Sequence, residues 1–285
     1  MTYQRREIEI EIKLHEGSFD DHNGDTLTLK NMKCEMSISA FGGATGTTLD
    51  MSLWGLSLNY MAKLTAKAQK YIAQKQNLVK IKVNDETIFV GTIVASRINL
   101  NQMPDAPIEI TANAIGYERN LACEPTSVRG VTDVSSLIQS IASKVGLKFV
   151  NIDVNKKVEN AYYPGNAIQQ IQDIALHYDF YADIDLGTVY IYNGNSSLDS
   201  VVPFISPENG LLGYPIFYDI GINFRCVFSS AIRVGRSIRL ETSLPYGSGE
   251  YKVRQGTTHY LSSMVEGGPW ETMVVGYPLE NIGAK

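Results

Sequence analysis

Cysteine is scarce: Cys34, Cys123 and Cys226 are the three in 285 residues, and no two of them form a C-x-x-C pair. An odd count without metal-ligand spacing argues against a disulfide framework and against a zinc site. It fits folding in a reducing cytoplasm. Long apolar runs are missing as well. None could cross a bilayer as a helix, so no membrane insertion is expected. The first residues, MTYQRREIEIEIKL, lack the apolar core of a signal peptide. Basic charge is in deficit: 25 Lys and Arg stand against 30 Asp and Glu, a net charge of −5. A nucleic-acid binder would normally carry a basic footprint instead.

Patterns that carry catalysis are also wanting. The histidines, His15, His22, His177 and His259, sit in no H-E-x-x-H, and there is no G-x-S-x-G elbow. The glycine-rich FGGATGTT (41–48) is followed by no Lys-Ser or Lys-Thr pair and opens no clear helix, so it reads as a hairpin loop and not a phosphate cradle. Asp183 and Asp185 share one strand face by their i, i+2 spacing. With no further carboxylate nearby in sequence, they read as turn-flanking solubility groups. Glu241, Glu250, Glu266 and Glu271 would need the fold to bring them together. The expectation is therefore no catalytic residue, no metal and no cofactor. His259, inside an alternating strand, reads as a packed or interfacial imidazole.

What the chain does have is two-residue periodicity at both ends. Ile8, Ile10, Ile12 and Leu14 alternate with Glu9, Glu11 and Lys13, the pattern of a half-buried strand. Strands are likewise predicted around Leu27 and Leu29, Cys34 to Ala40, 49–58, 78–83, 87–100 and 108–117, with Asn84-Asp85 as a turn and MPDAP (103–107) as a break. One helix is predicted over 59–76 from Met61, Leu64, Ala68 and Tyr71 or Ile72, with Lys63, Lys67, Lys70 and Lys75 elsewhere on it. The middle changes character. Val134, Leu137, Ile138, Ile141, Ala142 and Val145 form an apolar stripe at helical spacing, capped by Thr132 or Asp133 and stopped by Gly146. Pro164-Gly165-Asn166 opens a second helix, and 181–194 reads as a hairpin turning at Leu186-Gly187. Strands return from 211 to 279. Sixteen tyrosines against nine phenylalanines suit half-buried strands and interfaces. The fold class is α+β, mainly β: residues 1–116 a β-rich unit with one helix, 117–200 a small α+β insert, and 201–285 a second β-rich unit.

Three stretches carry a family resemblance: LSLNYMAKLT (56–65) with IFVGTIVAS (88–96) and PDAPIEITANAIG (104–116); the helix pair at 132–145 and 167–178 with the hairpin ending VYIY (189–192); and GEYKVRQGTTHYLSSMVEGGPWETMVVG (249–276). Their order resembles the baseplate hub proteins of contractile-tailed bacteriophages, the late control protein D family, and more distantly the hub-like part of type VI secretion spike proteins. The resemblance implies two tube-type β-barrel domains flanking the insert and a homotrimer that forms a pseudo-sixfold ring. That ring would join the sixfold tail tube protein to the threefold central spike protein, with the tape measure and other baseplate proteins as neighbours. DNA would pass through without specific binding, along a bore expected to be acidic or neutral. Localisation would be the virion tail baseplate, assembled in the host cytoplasm. The chain is short for this family, so any cell-wall hydrolase is expected to be another protein. Trp54, Gly91, Tyr251, His259, Gly268, Pro269 and Trp270 stand as structural or interface candidates, with Trp270 expected to bury its ring in the second barrel and Gly268-Pro269 to turn the chain. The alternatives are a sixfold tail-tube or distal-tail ring protein and, from the enzyme class, a tail-associated peptidoglycan hydrolase.

Overall fold

The structure is a computed structural model that describes residues 6–22, 24–43, 45–65, 76–219, 221–254 and 256–279. The first third holds β1 (Ile8–Lys13), β2 (Thr26–Lys30), β3 (Cys34–Ala40), β4 (Thr47–Leu53), α1 (Leu58–Leu64), β5 (Leu78–Val83), β6 (Glu86–Ile98) and β7 (Ile108–Asn113). Alternation decides the facing. Ile8, Ile10 and Ile12 are buried, and so are Cys34, Met36 and Ile38 two residues apart along β3. Asn84 and Asp85 both adopt positive φ, 49° and 68°, which is the backbone of a tight two-residue hairpin between β5 and β6. Met61 and Leu64 of α1 point into this core. Lys67, Lys70 and Lys75 of the predicted helix lie outside the described residues.

The middle third contains β8 (Thr126–Ser127), β9 (Val131–Asp133), α2 (Val134–Lys144), β10 (Lys148–Asn151), β11 (Lys157–Glu159), β12 (Tyr162–Tyr163), α3 (Ala167–His177), β13 (Tyr181–Asp185) and β14 (Thr188–Tyr192). The stripe of α2 is buried at Val134, Leu137, Ile138, Ile141 and Ala142, and Asp133 occupies its N-cap position without a side-chain cap bond. Gly146, at φ +77°, ends it. The Leu147 N–H returns to the Ala142 carbonyl at 3.0 Å, a Schellman-type stop. Asn166 and Gln169 form a reciprocal capping box on α3. Both helices cover a three-stranded sheet ordered β10-β14-β13.

The last third holds β15 (Phe204–Ile205), β16 (Leu211–Tyr218), β17 (Gly221–Val227), β18 (Ser237–Leu240), β19 (Gly249–Val253), β20 (Thr257–Ser263) and β21 (Trp270–Pro278). Its strands do not form a sheet of their own. β20 pairs antiparallel with β3, in unbroken register from Thr257 opposite Ala40 to Ser263 opposite Cys34. The β strands of both ends thereby join one 14-stranded sheet, ordered β15-β18-β19-β21-β20-β3-β4-β7-β6-β5-β1-β2, with β17 on β21 and β16 on β17 as a branch. Two barrels were the expectation. Among the described residues the sheet is continuous across both ends and no barrel closes.

Three apolar clusters back this arrangement. The first belongs to the N-terminal strands but takes in Leu261 of β20, with Phe228 and Trp270 packed on its margin. The second is the middle third's own, and the third is built from 205–274. Trp270 therefore departs from expectation. Its ring is half-buried and rests on the first cluster, not the last third's own core. The reason is the β20–β21 hairpin, which leans across the junction and lets the indole N–H reach the Ser262 carbonyl at 2.5 Å. Leu261, fully buried, ties both ends together more completely. Leu261→Ala is expected to cost about 2–5 kcal/mol, read as a lower urea midpoint for the whole chain. An unchanged midpoint would contradict its place in the shared core.

Candidate assembly face

Because side chains alternate along each strand, β3, β4, β7 and β20 at the centre of the sheet turn an apolar face to the core and a mainly polar face outward. The polar face can be followed by register. Ser37 on β3 lies opposite Asp50 on β4, which lies opposite Thr111 on β7. Glu35 faces Ser52, which faces Glu109, which faces Arg97 on β6. On the other side Ser37 faces Tyr260 on β20, which faces Glu271 on β21. All of these but Arg97 and Glu271 line an open trough of about 430 Å³ that spans the junction of the two ends, with Pro269 also in its lining. Hydroxyls knit it together: Thr111 donates to the Asp50 carboxylate at 2.9 Å, and Ser39 and Thr258 hydrogen-bond at 3.1 Å across the β3–β20 seam.

Charge is graded across this face. The four central strands, β20, β3, β4 and β7, carry Glu35, Asp50 and Glu109 and contain no Lys or Arg. Towards the β1 and β2 edge the charges are instead zipped. Glu9, nearly buried, accepts from Lys30 at 2.8 Å and Lys82 at 2.6 Å. The hydrogen bonds from these two ammonium groups outweigh burial and hold its carboxyl down at about 2. Towards the β17 edge, Glu271 pairs with Arg225.

The residues singled out from sequence are placed as follows. His259 is buried, its Nδ1 within 2.8 Å of the Thr272 hydroxyl and its ring edge-on to Phe228 at 5.2 Å. Desolvation, aided by the charge of Arg233, lowers its pKa to about 4, so it is a neutral packed imidazole. Tyr251 is buried in the last third's core and donates to the Gly247 carbonyl at 2.9 Å. Gly91 lets β6 run against β7: a Cβ there would lie 2.6 Å from the Phe89 ring and 2.8 Å from the Asn113 carbonyl. Gly268 accommodates Ser262, whose Oγ would be 2.2 Å from an added Cβ. Trp54 lies far along the chain from that hairpin. It donates to the Asp105 carbonyl at 3.1 Å beneath the Lys33 ammonium. His259 and Trp270 both pack on Phe228, and Gly268 and Trp270 both meet Ser262, whereas Trp54, Gly91 and Tyr251 lie elsewhere; of the seven only Pro269 lines the trough.

Sequence reading passed over other groups. Glu35, Asp50 and Glu109 were visible as polar positions of alternating strands, but their convergence needs the pairing register. Asp183 and Asp185 are anchors, which corrects their reading as solubility groups. Asp183 accepts from the Gly43 N–H at 2.7 Å and from the Tyr192 hydroxyl, and Asp185 pairs with Arg233. The outer strand β16 exposes Leu212, Tyr214, Ile216, Phe217 and Tyr218, with the consecutive Ile216 and Phe217 on opposite faces. Cys34 and Cys226 are buried thiols whose pKa values desolvation raises to about 11 and about 12, so neither is poised for reaction. Among the described residues no three His, Cys, Asp or Glu side chains gather where a metal could bind. Glu241, Glu250, Glu266 and Glu271 do not converge.

The family described as baseplate hub gp41 matches residues 57–261. The chain belongs to that baseplate hub family. The resemblance read from its motifs is thereby borne out, and the protein is a structural component of a phage tail baseplate. Solved structures share the hub's fold at low identity. A prophage MuSo2 tail protein from Shewanella oneidensis superposes with a TM-score of 0.67 at 7% identity, covering 96% of this chain and 98% of that one. A tail protein from Neisseria meningitidis MC58 gives 0.68 at 7%, covering 96% and 97%. A component of the E. coli type VI secretion system gives 0.58 at 9%, covering 87% and 73%. No curated protein matches by sequence.

The buried His259 makes a testable demand on the hub. Its unfolded-state pKa is near 6.5 and its folded one near 4. As pH falls from about 6.5 to about 4, the unfolded chain takes up a proton that the folded chain refuses, so stability drops across that window. His259→Gln should flatten the dependence of the urea midpoint on pH between 7 and 4. Equal slopes for variant and parent would show that the imidazole titrates freely.

Proposed function

We propose that three copies of this chain form a ring, each contributing two tube-type β units, about 1–116 and 201–285, so that six similar positions face the sixfold tail tube and a threefold face meets the central spike. The observation that carries this reading is the continuous sheet. One chain carries a polar strip from Glu109, Asp50 and Ser37 across the seam to Tyr260 and Glu271, and a closed ring of such strips would line a bore. The central strands of that face hold Glu35, Asp50 and Glu109 without a Lys or Arg among them. A wall of that sign repels phosphate, and DNA would pass without adhering. Ring formation also accounts for β16, an outer strand whose exposed Tyr214, Ile216 and Phe217 make the kind of apolar edge that a neighbouring subunit buries. The tail tube protein, the spike protein and the tape measure would then be the contacting partners, and assembly would take place in the host cytoplasm before incorporation into the virion tail.

Native mass spectrometry of the purified protein tests the stoichiometry. A trimer is expected, and Ile216→Glu combined with Phe217→Glu should shift it to monomer without lowering the urea midpoint by more than about 1 kcal/mol in equivalent stability, since both side chains are exposed. A six-membered ring of one chain would favour a tail-tube or distal-tail protein instead.

A further inference from the structure

The two ends of the chain share an apolar core across β3 and β20, but the middle third joins them differently. Its apolar cluster takes in one residue from outside 117–200, Ile115, next to the point where the chain enters the unit. Besides the Tyr192 ring and Leu198 against Gly235, several of its contacts with the β framework are polar or cationic. Asp183 reaches across to the backbone N–H of Gly43 in the β3–β4 turn at 2.7 Å. A Cβ on neighbouring Gly42 would stand 2.8 Å from the Asp183 carboxylate, so the turn is shaped to admit that side chain. Asp185, on the same face of β13, takes the Arg233 guanidinium from the loop between β17 and β18. Arg254, just after β19, lies 4.0 Å above the Tyr181 ring and 5.7 Å from that of Tyr277. Lys252 of β19, fully buried, donates to the carbonyls of Ser196 and Gly235 and sits 5.0 Å over the Tyr192 ring.

We propose that the α+β unit is a hinged arm, pivoting where the chain enters near Ile115 and held closed by a latch of Asp183 on Gly43 and Asp185 on Arg233. Interfaces of this polar kind within one chain permit relative motion, whereas a shared apolar core does not. The Asp185–Arg233 pair is about a quarter exposed on each side, so a neighbouring chain offering a guanidinium or a backbone N–H could compete for the carboxylates. Opening would release the β3–β4 turn at one end of the polar trough. The unit's own fold would persist, because its helices, sheet and core lie within 117–200 apart from Ile115.

Hydrogen exchange read by mass spectrometry on the full chain tests the latch. Asp185→Arg should speed exchange by about tenfold in the β3–β4 turn and in the loop carrying Arg233, while β3 and β20 keep the parent's protection. The charge-swapped double variant, Asp185→Arg with Arg233→Asp, should return those two segments towards parent rates, as a coupled pair does. Unaltered exchange in the single variant would overturn the proposal. So would acceleration extending into β3 and β20, since the arm would then be an integral part of one cooperative unit. A double variant no slower than the single one would also overturn it, because the pair would not be the latch.

Discussion

The pairing of β20 with β3 is the contact on which the rest of this structure depends. It joins strands more than two hundred residues apart in sequence, and it does so in full register. That register aligns the polar face of the first third with that of the last. It also brings Leu261 into a core otherwise made of N-terminal residues. Without it there would be two sheets with two exposed edges at the junction, each a template for unwanted pairing. With it, Tyr260, Leu261 and Pro269 join Glu35, Asp50 and Glu109 in the lining of one trough.

The remaining edges are treated differently from one another. Near β2 the face is zipped by charge: Glu9 is clasped by two lysines, and Glu11 stands between Lys80 and Lys82. Such a closed network satisfies its own charges and has little left for a partner. At β16 the chemistry is reversed, with a run of exposed aliphatic and aromatic side chains. Exposed apolar surface of that kind marks an interaction site. Between these limits, the centre of the sheet is acidic and hydroxyl-rich, suited to a wall along which a polyanion moves.

Local structure was largely legible from the residues. Ile8, Ile10 and Ile12 alternate as β1 does. The stripe of α2, the stop at Gly146, the start of α3 at Asn166 and the turns at Asn84-Asp85 and Leu186-Gly187 all follow from short-range chemistry. His259 was readable as a packed imidazole because it sits mid-strand. What could not be read is anything that depends on which strand lies beside which. Trp270 was assigned to the wrong core because its neighbours come from the N-terminal third. Asp183 and Asp185 look solvated in sequence because their partners, Gly43 and Arg233, lie 140 and 48 residues away. The acidic trough was hidden for the same reason: Glu35, Asp50 and Glu109 are unremarkable in three separate strands. Two tube-type barrels were what the family resemblance implied, and the β3–β20 seam that joins both ends in one sheet leaves no local signature.

The central claim is that this seam makes one continuous polar face and that the face lines a channel. An electron-microscopy map of the assembled ring at side-chain resolution tests it most directly. The account predicts three chains around the axis, with β3 and β20 adjacent in each and Glu35, Asp50 and Glu109 turned towards the bore. A map in which that face looks outward, or in which the bore is lined by Lys and Arg, would contradict it.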